Sequence, residues 1–101
     1  MTELYSWLAV QHPGLRTYKA FRAKAQELAR ADREHRAFYK LLSNMVEPFI
    51  DTYNGEVLPT KLAEETFRRL LNVVQNAENA ITLSPEVEMG AMNEIASVKL
   101  I

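Results

Sequence analysis

The stretch from Tyr18 to Tyr53 constrains the fold more than any other part of the chain. Steps of three and four residues in turn give Tyr18, Phe21, Ala25, Leu28, Asp32, His35, Tyr39, Leu42, Val46, Phe49 and Tyr53, of which nine of eleven are apolar or aromatic. A strand would alternate with period two, and a loop would not keep one apolar seam over such a length, so the stretch reads as helix. Asp32 and His35 interrupt the seam. Aspartate is a favoured helix N-cap, so a break or bend is expected at Asp32; the alternative is an unbroken helix with two polar groups facing its neighbour. Beyond Ala37 the stripe widens through Phe38, Leu41, Met45 and Ile50, which marks this half as the more deeply buried. Pro48 removes one backbone donor there and predicts a kink near Asn44, or a helix boundary.

The remaining segments are sized to cover that seam. Thr2 can cap a first short helix that ends at His12-Pro13-Gly14, and Asn54-Gly55 can stop the seam helix. Pro59 or Thr60 opens a helix with Ala63, Phe67, Leu70, Val74, Ala77 and Ile81 on its core side, and Ser84-Pro85-Glu86 opens the last helix with a hydroxyl cap, a tolerated proline and an early carboxylate. Gly90 weakens that last helix or admits a close neighbour. The expected architecture is all-α: a compact bundle of four or five helices with short connections and one long central helix, kinked or broken, as a single domain over residues 1–101.

Several chemistries are excluded by what the chain lacks. It contains no cysteine, which rules out disulfides, thiolate metal sites and a thiol nucleophile and suits a cytoplasmic location. Its three glycines, Gly14, Gly55 and Gly90, are too scattered for a phosphate-cradling loop, and no serine sits in a nucleophile elbow. The acidic start Met1-Thr2-Glu3-Leu4 is unlike a signal peptide, and no apolar run is long enough to span a membrane. Asp32 and His35, three apart, match one quarter of a di-iron carboxylate site, but the other ligands are missing. No cofactor, metal or catalytic residue is therefore expected.

Two surfaces remain as candidates. Residues 1–40 carry eight Lys or Arg against four Asp or Glu, whereas residues 41–101 carry four against nine. Lys19, Arg22, Arg30, Arg33, Arg36 and Lys40 lie along or beside one side of the seam, and on a continuous helix they would form a ridge of about 30 Å. Such a ridge suits an acidic protein partner or a phosphate backbone. The second surface is apolar: Tyr5, Trp7, Tyr18 and Phe21 near one end, with Leu100 and Ile101 in the C-terminal tail, either as an interface or as core. The expectation is a non-catalytic helical protein that binds another protein, with a second copy of itself as one candidate partner. A nucleic-acid-binding regulator is the rival and a metal-dependent enzyme the remote alternative.

Overall fold

A computed structural model describes residues 3–98 and Leu100, apart from the side chain of Glu3, so the expected Thr2 cap lies outside the described residues. Five helices follow in order: α1 (Glu3–Ala9), α2 (Leu15–Ala31), α3 (Arg36–Tyr53), α4 (Thr60–Ile81) and α5 (Pro85–Ser97). The architecture is the expected all-α bundle, and none of the described helices is long and apolar enough to cross a membrane.

The seam breaks at Asp32. This residue leaves helical geometry (φ −110°, ψ 95°) and ends α2, and α3 starts four residues later. The two helices fold back on each other as an antiparallel hairpin, because Arg22 meets Glu47 and Lys19 meets Asn54, pairs placed about equally far on either side of the elbow. The seam thus packs against itself. Tyr18, Phe21 and Ala25 of α2 face Phe38, Tyr39, Leu42, Val46 and Phe49 of α3, all with at most 1% of their surface exposed. Tyr18 and Phe49 meet edge-on at 4.9 Å between ring centroids, the orientation favoured by ring quadrupoles.

The Tyr18 hydroxyl extends this core to α4 by donating to the Ala63 carbonyl at 3.0 Å, and burial drives its pKa well above the ordinary 10.0. Pro48 sits inside α3 without ending it, which removes the helix-boundary reading of that residue. Gly55 follows the α3 C-cap with φ 81°, a left-handed conformation in which glycine has no Cβ penalty. Ser84 caps α5 as its sequence indicates, accepting the Val87 N–H at 3.2 Å.

Glu78 reveals a contact that periodicity did not identify. Glu78 stands four residues after Val74, on the core face of α4, and is 1% exposed. Its carboxylate accepts the Leu4 N–H at 3.2 Å and the Tyr5 N–H at 2.7 Å. These are donors that the first turn of a helix cannot satisfy internally, and the negative charge also complements the helix dipole. Leu4 and Leu8, one turn apart and fully buried, complete the attachment of α1. Trp7, half-buried between them in sequence, lies under the Lys24 ammonium at 5.8 Å.

Two substitutions test this packing. Glu78→Ala should cost about 2–3 kcal/mol by stranding charge-assisted bonds at a buried helix end. Because Trp7 is the single tryptophan, its emission should shift to the red as α1 loosens; unchanged emission and melting would contradict the α1 attachment. Ser43 is 1% exposed, and its hydroxyl has no hydrogen-bond partner among the described residues. Ser43→Ala should therefore raise stability by about 1 kcal/mol in denaturant unfolding.

Candidate functional site

α5 is held differently from the other helices. Ile95 is its single buried residue, while Val87 and Met89, together with Leu83 in the preceding turn, are 43%, 65% and 71% exposed. Between α4 and α5 runs an open groove of about 380 Å³. Val73, Ala77 and Ala80 line one wall, and Gly90, Ala91 and Ile95 the other. A Cβ placed on Gly90 would meet no atom of another segment within 4 Å, so the close helix approach that this glycine could have served does not occur among the described residues. Small side chains on facing helices leave the groove open.

The charge of this region is one-sided. Residues 70–97 contain no Lys or Arg and carry Glu78, Glu86, Glu88 and Glu94. Glu78 is consumed by α1 and Glu94 lines the groove. Of these carboxylates only Glu94 lines the groove itself, within a stretch of chain that carries no basic side chain.

The elbow at the end of α2 forms a second constellation. Asp32 Oδ1 accepts the N–H groups of Glu34 (3.1 Å) and His35 (3.2 Å), and Oδ2 lies 2.9 Å from His35 Nδ1. Asp32 therefore caps the elbow, not the first turn of α3, whose N-cap is His35. On the far edge of the ring, His35 Nε2 lies 3.2 Å from Glu88 Oε1 of α5. The hydrogen bond to Asp32, then the negative charges of Asp32, Glu88 and Glu34, raise the His35 pKa above its ordinary 6.5 against the opposing effect of burial. The same hydrogen bond holds Asp32 below its ordinary 3.8. Asp32 and Glu88 occupy opposite ring nitrogens, so they do not converge on one point, and the described residues contain no cluster of three or more metal-ligating side chains.

The basic residues do not form the 30 Å ridge of a continuous helix, because the hairpin places them on two arms. Arg22 pairs with Glu47 at 3.6 Å, Lys19 donates to Asn54 at 3.2 Å, and Arg36 Nε donates to the Ala29 carbonyl at 2.9 Å across the elbow. Arg30, Arg33 and Lys40 are exposed, with no ion pair among the described residues. Of the apolar candidates, Tyr18, Phe21 and Leu100 are core side chains, at most 3% exposed. Tyr5 and Trp7 pack half-buried against that core, and Ile101 lies outside the described residues. Sequence reasoning missed the groove and Glu88. Glu88 carried no local signal for His35, since the two meet only through tertiary packing.

Asp32→Leu distinguishes the elbow from an unbroken seam. With the seam broken, the substitution should cost about 1 kcal/mol, as loss of a capping carboxylate does. Proton NMR should also show His35 titrating at lower pH than in the parent. A melting temperature that is unchanged or raised, with no shift at His35, would contradict the capping role.

Comparison with protein-family models, curated proteins and solved structures finds no match to this chain, so its functional reading rests on its own geometry.

Proposed function

We propose that the chain is a non-catalytic helical protein that works by binding another protein, and that the α4–α5 groove receives a cationic amphipathic helix from the partner. The supporting observation is an open apolar groove, with the partly exposed Val87 in its lining, inside a stretch of chain without a single Lys or Arg. A partner helix laying its apolar face in the groove would bury side chains on both sides, at roughly 25 cal/mol per Å² of apolar surface. Glu86 and Glu94 on α5 would favour cations along the edges of that helix and so set its orientation. We place this activity in the cytoplasm, where a cysteine-free chain needs no oxidising environment.

The rival reading, a nucleic-acid regulator, would use the exposed Arg30, Arg33 and Lys40 around the elbow. Its mark is affinity that falls steeply with added salt and is insensitive to changes in the groove.

A designed Leu/Lys amphipathic helical peptide, titrated calorimetrically, should bind, whereas its Leu/Glu counterpart should not. Gly90→Leu should abolish binding by filling the groove while leaving the fold intact or more stable, since glycine inside a helix costs roughly 0.5–1 kcal/mol relative to alanine. Equal binding of both peptides, or full binding by Gly90→Leu, would sink the groove reading. Light scattering gives the native mass in the same series. A parent of twice the chain mass that becomes monomeric on Gly90→Leu would make the occupant a second copy of this chain instead.

A further inference from the structure

His35 touches carboxylates from two different parts of the fold: Asp32 at 2.9 Å on the elbow and Glu88 at 3.2 Å on α5. A neutral imidazole carries one N–H, so it can donate to one of them while its remaining lone pair faces the other. The imidazolium donates to both. Asp32, whose second oxygen is fixed by two backbone N–H groups, is the better-anchored acceptor. Glu88 is therefore the partner lost on deprotonation, when attraction gives way to repulsion between a lone pair and a carboxylate. The other charged groups around the ring are Glu34, which adds negative potential, and the flanking Arg33 and Arg36, of which Arg36 is turned onto the Ala29 carbonyl.

α5 is the helix for which this contact matters most. It buries Ile95 alone, near its C-terminal end, and its N-terminal half combines exposed Val87 and Met89 with the open groove at Gly90. Little apolar packing competes with the polar contact in holding that half.

We propose that His35 is a proton-controlled latch on α5: the imidazolium ties the N-terminal half of α5 to the α2–α3 elbow, and loss of the proton releases it and reshapes the groove wall. The consequence for binding rests on the groove reading above, whereas the latch itself does not. Since the His35 pKa is raised on folding, the latch is complete below the ordinary imidazole value of 6.5 and is lost as pH climbs through the raised value. On the acid side the bond from His35 to Asp32, which anchors the ring to the elbow, persists until Asp32 protonates, below that residue's ordinary 3.8.

The test is amide hydrogen exchange of the isolated full chain across pH ~5.5 to ~8.5, corrected for the intrinsic chemical rate, in the parent, His35→Gln and Glu88→Gln. In the parent, α5 should open several-fold more often at the alkaline end, while the interior of the α2–α3 hairpin keeps its protection. Both variants should lose that pH dependence, and the His35 ring should titrate at lower pH in Glu88→Gln than in the parent. A parent whose α5 protection is flat with pH overturns the latch, as does a slope that survives in both variants. No peptide is present, so failure of the groove reading would leave this result unaffected.

Discussion

The burial of one aromatic seam against itself is the contact on which the rest of the structure depends. Tyr18, Phe21, Phe38, Tyr39 and Phe49 are all essentially removed from solvent inside the α2–α3 hairpin. Burying a large apolar side chain contributes about 1.5–3 kcal/mol, so no other pair of helices here offers a comparable driving force. The remaining helices are positioned from that hairpin. The Tyr18 hydroxyl reaches the Ala63 carbonyl and brings in α4, and α4 in turn holds α1 through Glu78.

Closing the seam requires a bend, and the two polar seam residues supply it. Left within a continuous helix, Asp32 and His35 would face an apolar neighbour without compensation. At the elbow, the Asp32 carboxylate satisfies two backbone N–H groups and one edge of the imidazole, and the Arg36 guanidinium satisfies a carbonyl at the end of α2. The polar interruption of the pattern is thus what allows the apolar pattern to be buried. The same bend divides the basic residues of the seam between two arms.

The stability so gained is unevenly shared. The hairpin, α1 and the inner face of α4 bury their apolar residues, whereas α5 buries one side chain and leaves a groove beside it. A helix attached mainly at one end and by a histidine between two carboxylates has a lower barrier to local opening than the core. That uneven distribution, in a stretch of chain without Lys or Arg, is the basis for proposing both a binding groove and its control at α5.

The all-α class, the break at Asp32, the stop at Asn54-Gly55 and the Ser84 cap of α5 were legible in the sequence, because each depends on residues within a few positions of one another. Helical periodicity, capping chemistry and the conformational freedom of glycine act locally and leave a local trace. Which face of the seam meets which, and so whether Tyr18 and Phe21 form core or interface, depended on the hairpin closing. Glu78 was not legible as a core residue, because the α1 amides that make its burial tolerable lie more than seventy residues away in the chain. The groove and the meeting of His35 with Glu88 were decided by tertiary structure alone, since an empty space and a contact between distant helices are properties of packing and not of any one stretch of sequence.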